Sequence, residues 1–326
     1  MYPAPDMTPD AGARWSHERQ SRAALAAAVA MMFIWGANFG VTKYVLGALG
    51  VGPFLFIRFL VMSLLGFLLL VVVYRHHLPK SWPRREDLPR FAIAGIIGHT
   101  LHVGIVTWGI NLSTAFSSAL VLTSGPLWTL LILAVLGVEK LRTRQLAGTL
   151  VAFLGIVVFL SEKFSEGFSM AGLGDLVLLF AASLFSFYTV ISKPLVLRYG
   201  PLPLLAYTLL FGAPPLLLIT LPSFIAAPLA GLPGKVWLGM FWAAVMSAFL
   251  GWIVWTWVNA VRGVARSAPL QYLMPPIAGV VAWFTLGEQF SALKIAGAAV
   301  TMAGVAWAQF GGAGPPPREA AQPDSG

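Results

Sequence analysis

Ten apolar segments make up most of the chain, and short clusters of glycine, proline and charged residues separate them. A run of about 20 apolar residues can cross the hydrocarbon core of a bilayer as an α-helix, which satisfies its own backbone hydrogen bonds. Only 10% of the residues are charged, whereas a soluble domain has about a quarter. The pattern therefore predicts an all-α integral membrane protein with ten transmembrane helices. The predicted segments are 23–47, 53–74, 91–110, 115–137, 145–161, 174–195, 203–221, 236–258, 264–286 and 292–310.

The positions of lysine and arginine predict how the segments are oriented. If the N-terminus is cytoplasmic, the inner stretches hold 16 of the 21 Lys and Arg residues, and the outer stretches hold three. Cytoplasmic loops of membrane proteins carry such an excess. We therefore expect a multi-pass protein of the plasma or inner membrane with both termini in the cytoplasm. Residues 1–22 are expected to form a polar tail without a secretory signal, and 311–326 a disordered tail.

Several classes of function are disfavoured by what the sequence lacks. The chain has no cysteine, which excludes disulfides, thiolate metal sites and cysteine nucleophiles. Its basic residues lie between apolar segments and form no single stripe, so the net charge of +9 does not indicate nucleic-acid binding. No hydrolase or metalloprotease motif is present. We expect no cofactor and no metal, and the oligomeric state is left open.

The second half of the chain repeats the first. The stretch that begins at Trp108 aligns without a gap to the one that begins at Trp257. Each copy has five segments, and because five is odd, the copies enter the membrane from opposite sides. Inverted repeats are typical of secondary transporters, which bind substrate near the midplane between the halves. The alternative is a duplication that serves helix packing alone. The matched positions include Pro126 and Pro275, Glu139 and Glu288, Gly148 and Gly297, and Gly155 and Gly304.

Three stretches resemble a known family. They are "WGANFGVTK", "SGPLWTLLILAVLGVEKLRTRQLAGTLVAFLGIVVFL" and "SALKIAGAAVTMAGVAW", and they look like the EamA repeat of the drug/metabolite transporter superfamily. The first copy has Val138 where the family usually has the glycine that the second copy keeps as Gly287. The resemblance implies a ten-helix carrier of the inner membrane, often an exporter of amino acids or other metabolites, with repeats at 23–161 and 174–310.

Three basic residues lie within or at the edge of segments. Lys43 lies near the outer end of the first segment, and Lys193 occupies the equivalent position near the inner end of the sixth, one residue out of the main register. Each lysine either reaches the membrane surface or lines a gate. Arg58 lies deeper among apolar residues, where a charge usually faces a cavity or a partner.

His99 and His102 lie three residues apart near the middle of the third segment. They are structural histidines, or they bind substrate or protons. No third metal ligand accompanies them. Acidic residues occur only at segment ends, such as Asp175, Glu139 and Glu288. We expect the two glutamates to order the turn into the next helix.

The absence of a deep carboxylate also bears on the substrate. Small multidrug exporters of the superfamily bind cations with a carboxylate in their first helix, which this chain replaces with Asn38 and Lys43. Fixed positive charge favours a substrate with a carboxylate.

Polar and aromatic residues near segment centres predict a mostly apolar pocket. Its candidate members are Trp35, Asn38, Ser124, Tyr188, Gln271 and Tyr272. An interfacial belt is the ordinary explanation for Trp252, Trp255 and Trp257 near the end of segment eight.

Glycine and proline positions predict local features of the helices. Gly36 and Gly40 predict close packing of the first helix on a neighbour. Five prolines are expected to break helices, and the repeat-equivalent Pro126 and Pro275 among them are expected to be hinges that line the path. The five are Pro126, Pro214, Pro215, Pro275 and Pro276.

Taken together, these features predict a secondary transporter that moves a small metabolite, such as an amino acid or organic acid, by alternating access and more often outward. A broad-specificity drug exporter is the alternative. A membrane enzyme or scaffold is a third, less favoured reading.

Overall fold

A computed structural model describes residues 11–74, 82–135, 143–165, 170–262 and 267–310. Within these ranges the chain is helical and contains no β-strand. Glu139 and the predicted tail 311–326 lie outside the described residues. The helices are α1 (Ala11–Leu49), α2 (Val51–Tyr74), α3 (Leu88–Gly95), α4 (Gly104–Leu112), α5 (Ala115–Leu122), α6 (Gly125–Val135), α7 (Thr143–Ser165), α8 (Met170–Tyr199), α9 (Pro201–Ile225), α10 (Gly234–Phe241), α11 (Gly251–Arg262), α12 (Met274–Leu286) and α13 (Ala292–Phe310).

Six helical stretches in the described part of the chain are long and apolar enough to cross a membrane, and three shorter apolar helices accompany them. They correspond to nine of the predicted segments. The remaining segment, 115–137, consists of the short helices α5 and α6. Helix α1 begins at Ala11, so it extends back into the predicted polar tail. We call the end of the molecule at which α1 begins the inner end, after the predicted topology, and the opposite end the outer end.

Helices α7 and α13, the last of each predicted repeat, pack against each other through small residues. A side chain at Gly155 would collide with the backbone of Thr301, and one at Gly304 would collide with the backbone of Ala152. These two contacts exchange under the repeat alignment, since Gly155 matches Gly304 and Ala152 matches Thr301. The contacting position advances along one helix as it retreats along the other. The two helices therefore run antiparallel.

The second helices of the two repeats, α2 and α9, also pack against each other. Gly66 of α2 lies against Leu209 of α9, and Gly52 lies against Ser223 near the other end of the pair. The Phe56 and Phe224 rings stack with their centroids 4.2 Å apart. These contacts again run in opposite directions along the two helices, so α2 and α9 are antiparallel as well.

The predicted effects of glycine and proline differ from site to site. Gly36 and Gly40 allow α1 to approach Ile277 and Val281 of α12 closely, which confirms the packing prediction. The chain breaks between α5 and α6 just before Pro126, and a 3-10 stretch, Ala268–Leu273, precedes the prolines of α12.

The expected break at Pro214 and Pro215 is wrong, because both lie inside the continuous helix α9. The fixed φ of proline is itself helical, so the loss of one backbone hydrogen bond does not have to end a helix in packed surroundings.

The third helix of each repeat contains a π-helical stretch, which the sequence did not predict. Ile96–Val103 joins α3 to α4, and Trp242–Leu250 joins α10 to α11. Such stretches are rare and are frequently found at functional sites. Here they occur at matching places in the two repeats.

We predict that Gly155→Ala and Gly304→Ala each lower the free energy of unfolding by about 1–3 kcal/mol, since the added methyl group must separate α7 from α13. The midpoint of thermal unfolding in detergent measures this effect. Gly47→Ala is the control, because no atom lies within 4 Å of its new methyl group. Equal midpoints for Gly155→Ala and Gly47→Ala would contradict the packing described above.

Candidate functional site

A cavity of about 150 Å³ lies between α8 and α11 and includes Trp35 of α1. It extends toward the inner end of both helices, where its lining residues Lys193, Leu197 and Ala260 are exposed. Three of the predicted site residues line it: Trp35, Tyr188 and Lys193. The other lining residues are Phe185, Thr189, Ser192, Val196, Leu197, Trp252, Trp255, Thr256, Asn259 and Ala260.

Aromatic rings form the deep part of the cavity, which we call the aromatic floor: Trp35, Phe185, Tyr188, Trp252 and Trp255. Tyr188 and Trp252 meet edge to face with centroids 5.0 Å apart, and Trp35 and Trp255 do so at 5.6 Å. Edge-to-face contacts are favourable for aromatic pairs. The floor is therefore a packed, apolar surface at the end of the cavity.

Two features of the second repeat hold Trp35 in this floor. Its Nε1 donates a hydrogen bond of 2.8 Å to the carbonyl oxygen of Ser247, which lies in the π-helical stretch Trp242–Leu250. Gly251 has no side chain, and a Cβ atom there would collide with the Trp35 ring. The π-helical stretch thus supplies an acceptor, and Gly251, the first residue of α11, supplies space for a tryptophan of the first repeat.

The walls nearer the mouth are more polar. Lys193 is exposed, and among the described lining residues it is the one charged side chain. Trp255 Nε1 and Asn259 Oδ1 are buried and have no hydrogen-bond partner among the described residues. The Thr256 hydroxyl, by contrast, donates to the Trp252 carbonyl of its own helix at 2.6 Å. The cavity therefore exposes a cation, and its walls contain a buried N–H donor and a buried oxygen acceptor without partners among the described residues.

A second, water-sized space of about 10 Å³ adjoins the first. Pro126 and Gln271 line it, together with Phe185 and Trp255, which it shares with the larger cavity. Ser124, at the break between α5 and α6, is fully buried and its hydroxyl oxygen has no partner among the described residues. The interrupted fourth helix of the first repeat thus faces the cavity of the second.

His99 packs against the side of the aromatic floor that faces away from the cavity. Its ring centroid is 4.6 Å from that of Trp252 and 5.9 Å from that of Tyr188. The Thr208 hydroxyl donates to the Leu204 carbonyl at 2.8 Å, so its oxygen accepts from His99 Nε2 at 3.0 Å. His99 Nδ1 is then an acceptor, and it is buried without a partner in the described chain.

His102 and Arg58 accompany His99 in this layer. His102 donates from Nδ1 to the Ala181 carbonyl at 2.9 Å, and its ring lies 5.0 Å from that of Phe185. The Arg58 guanidinium lies 5.8 Å from the centre of the Phe54 ring, and its Nε is buried without a partner among the described residues. Arg58 interacts electrostatically with both imidazoles. None of the three residues lines the inner cavity.

Lys43 lies at the outer end and holds the end of α4. Its Nζ donates to the carbonyl oxygens of Ile110 at 3.1 Å and Asn111 at 2.6 Å, in the last turn of α4. The last carbonyls of a helix have no partner within the helix, and a cation there also complements the helix dipole. Lys43 is thus directed toward protein groups, while Lys193 is exposed at the cavity mouth.

Two acidic side chains bind the connection that follows α4. Glu288 accepts hydrogen bonds from the backbone nitrogens of Ala115, at 2.7 Å, and Phe116, at 3.2 Å, at the start of α5. Asp175 of α8 accepts one from the Ser113 hydroxyl. The expectation that Glu288 orders the next helix, α13, is therefore wrong, because its carboxylate caps a helix of the other repeat.

The remaining predicted residues are not brought to the cavity. Asn38 is partly buried, and its Oδ1 has no partner among the described residues. Tyr272 packs with Leu127 and Ala152, and Pro275 is buried in the first turn of α12. None of these three lines the inner cavity.

Comparison with known proteins identifies this arrangement. The EamA-like transporter family matches residues 22–161 and 172–309, nearly all of the helical chain. The chain belongs to the EamA-like transporter family. A crystal structure with a TM-score of 0.59 and 18% identity spans 89% of this chain and 98% of its own chain, and this likeness shows the fold alone.

Two similar proteins have names that refer to export. A probable terminal-alkyne amino-acid exporter from Streptantibioticus cattleyicolor is 32% identical over 226 residues, or 68% of this chain and 73% of that protein. A probable amino-acid metabolite efflux pump from Salmonella typhimurium is 25% identical over 303 residues, or 87% of this chain and 94% of that one.

The cavity residues that the sequence analysis missed share a helical spacing. On α11 of this EamA protein, Trp252, Trp255, Thr256 and Asn259 recur at intervals of three and four residues, which places them on one face. The interfacial belt is the wrong interpretation for Trp252 and Trp255, which are 9% and 6% exposed and belong to the floor. Thr256 and Asn259, the polar residues on this face of α11, are the sequence signal that could have indicated a cavity.

We predict that single cysteines report the shape of the cavity, since the chain has none of its own. In detergent, Lys193→Cys should react with a water-soluble maleimide at least about tenfold faster than Ser124→Cys, because a buried thiol is shielded from the reagent. Equal rates would mean that the cavity does not open at the end described here.

Proposed function

We propose that this protein is a secondary transporter that exports a small metabolite with a carboxylate, such as an amino acid or organic acid, by alternating access. The observation that carries the proposal is a cavity that extends to the inner end and has Lys193 as the charged side chain among its described lining residues, while at the outer end Lys43 is bonded to the last turn of α4. The names of the two relatives, both exporters of amino acids or their metabolites, support it.

The proposed topology has ten transmembrane helices in two inverted repeats, at 23–161 and 174–310. The protein lies in the plasma or inner membrane, and both termini are in the cytoplasm. The antiparallel packing of α7 on α13 supports it, because two antiparallel spanning helices have an even number of crossings between them. With ten segments, four crossings, the sixth to the ninth, lie between α7 and α13. The cavity then faces the cytoplasm, from which an exporter loads.

The unpaired polar atoms of the cavity fit an amino acid best. Lys193 and the Trp255 N–H are suited to a carboxylate, and Asn259 Oδ1 is suited to an ammonium group. An organic acid leaves the asparagine oxygen without a donor, and a buried acceptor left unpaired reduces binding. An amine meets a lysine and no carboxylate among the described lining residues. The aromatic floor, deeper in the cavity, then receives an apolar side chain.

Arg58, His99 and His102 continue the polar path beyond the floor. Arg58 Nε and His99 Nδ1 form a donor and an acceptor without partners in the described chain, on the far side of the Tyr188–Trp252 pair from the cavity. Burying a charge at this depth is costly, so charged residues within a membrane usually face a cavity or a partner and mark a functional site. We assign Arg58 the role of receiving the substrate carboxylate once the floor opens. The proposed path requires no metal or cofactor.

A broad-specificity drug exporter is the second candidate, because the aromatic floor suits lipophilic cations through cation–π contacts. The absence of a carboxylate among the described lining residues argues against it. Resistance to cationic dyes on overexpression is the observation that favours it.

Three compounds with the same phenyl ring test the substrate class in proteoliposomes: phenylalanine, 3-phenylpropanoate and 2-phenylethylamine. We predict uptake of phenylalanine at least about tenfold faster than of either analogue, because a site built around polar groups rejects ligands that leave them unpaired. Asn259→Leu should remove the preference over 3-phenylpropanoate. Thr256→Val is the control on the same helix, since its hydroxyl already bonds the Trp252 carbonyl. Fastest uptake of the amine would instead support the drug exporter.

Arg58→Ala should lower transport of the carboxylate-bearing substrate at least about tenfold, since it removes a charged group that binds the carboxylate in a low-dielectric site. Lys235→Ala is the matched control, because Lys235 is an exposed cation near Tyr44 at the outer end. Uptake by a monodisperse Arg58→Ala protein at the wild-type rate would remove Arg58 from the proposed path.

A further inference from the structure

The two equivalent lysines of the repeats occupy different environments. Lys43 donates to the carbonyls of Ile110 and Asn111, in the last turn of α4. The repeat alignment that matches Trp108 with Trp257 matches these two residues with Asn259 and Ala260. Both of those line the inner cavity, and so does Lys193, the equivalent of Lys43.

We propose that Lys193 closes the inner end of the transporter by donating to the carbonyl oxygens of Asn259 and Ala260. Under the repeat alignment, this contact is equivalent to the one that Lys43 makes at the outer end. In the structure the Lys43 contact is formed. The Lys193 contact is not formed, because the cavity lies between Lys193 and the end of α11. Lys193 is thus a gating residue as well as the cation of the cavity, and the inference rests on the proposed alternating access.

The end of α11 presents suitable acceptors. Helix α11 is described as far as Arg262, and Asn259 and Ala260 lie in the last turn of that described part. The carbonyls of a last helical turn are the ones that accept from groups outside the helix, as those of Ile110 and Asn111 do from Lys43. When the cavity closes, water leaves, and a protein donor has to replace it. A lysine does so best, because its cation also complements the negative end of the helix dipole.

The position of Lys193 makes the same contact possible from the other side. It lies on α8, across the cavity from α11, and its side chain is exposed in the state described here. Its alignment with Lys43 is one residue out of the register that relates the carbonyls. A shift of one residue is within the reach of a long, flexible side chain whose partner carbonyls are themselves adjacent.

The proposed contact also couples substrate binding to closure of the inner end, because both use the Lys193 ammonium group. A substrate carboxylate in the cavity binds the same ammonium that later holds the end of α11. Lys193 can donate three hydrogen bonds, so it can retain the carboxylate while it turns to the carbonyls. Inward and outward states then differ by which lysine is bonded to a helix end.

The test uses two single-cysteine reporters in the full-length, cysteine-free chain in oriented membranes: Ser192→Cys, on the wall of the inner cavity, and Ile110→Cys, buried at the outer end. An impermeant maleimide is applied from the inner side for Ser192→Cys and from the outer side for Ile110→Cys. Each reporter is combined with Lys43→Met, Lys193→Met or the control Lys235→Met.

The two lysine substitutions should act in opposite directions, because each removes a contact that stabilises one of two states and shifts the population toward the other. Lys193→Met should raise labelling of Ser192→Cys and lower that of Ile110→Cys several-fold. Lys43→Met should do the reverse, and Lys235→Met should change neither. Lys193→Arg keeps a cationic donor and should stay close to the wild type.

Labelling requires no transport, so the inference and the proposed substrate fail separately. If Lys193→Met leaves both reporters unchanged, or shifts them in the same direction as Lys43→Met, the gating role is overturned. If the reciprocal shifts occur but none of the phenyl compounds is transported, the gate stands and the substrate class is overturned. Labelling of the Lys193→Arg protein shows whether a poorly folded Lys193→Met protein has distorted the result.

Discussion

A hydrocarbon core offers no hydrogen-bond partner to a peptide group, and most features of this structure follow from that constraint. Where the chain must interrupt a helix, the freed backbone groups are bound by side chains from other helices. Side chains from distant parts of the chain also bind backbone groups at the outer end, in the connection between α4 and α5. Lys43 binds carbonyls at the end of α4, and Glu288 binds nitrogens at the start of α5. The charges of both side chains complement the ends of the helices that they cap.

The two repeats are related symmetrically in one part of the structure and differ in another. We call the α7–α13 and α2–α9 helix pairs, which are symmetric, the frame. The α7–α13 and α2–α9 pairs make antiparallel contacts at glycines, and the glycines of the first pair admit a neighbouring backbone. In the proposed alternating access, these contacts need not change when the cavity changes sides. The helix ends around Lys43 and Lys193 differ instead, since one is capped and the other is exposed. The frame can therefore persist while the ends alternate.

The sequence predicted the frame better than the site. Apolar length, the Lys and Arg distribution and the repeat depend on composition averaged over many residues, which the bilayer constrains strongly. The site depends on single side chains and on local helix geometry. The π-helical stretch Trp242–Leu250, which receives Trp35, has no sequence signal such as a proline. The pair Pro214 and Pro215 carries that signal and leaves α9 unbroken.

Burial also changed the interpretation of residues that sequence position alone misplaces. Trp255 and Asn259 lie near the end of a segment, where the membrane surface explains a tryptophan and water explains an asparagine. In the structure they face the cavity from one side of α11. Glu288 was expected to serve its own connection, and it serves a helix distant in sequence. Such cross-repeat contacts depend on the tertiary fold, which local sequence does not reveal.

Some of the unpaired polar atoms of the described chain lie beside the inner cavity and behind its floor, where a solute path is proposed. A duplication that served packing alone gains nothing from buried donors and acceptors without partners, because each reduces stability. In the described chain, Trp255 Nε1 and Asn259 Oδ1 belong to residues of the inner cavity, and His99 Nδ1 and Arg58 Nε belong to the layer behind its floor. Both donors and acceptors occur on each side of the Tyr188–Trp252 pair. This arrangement is consistent with the proposed substrate, since a ligand with both a carboxylate and an ammonium group needs both kinds of partner.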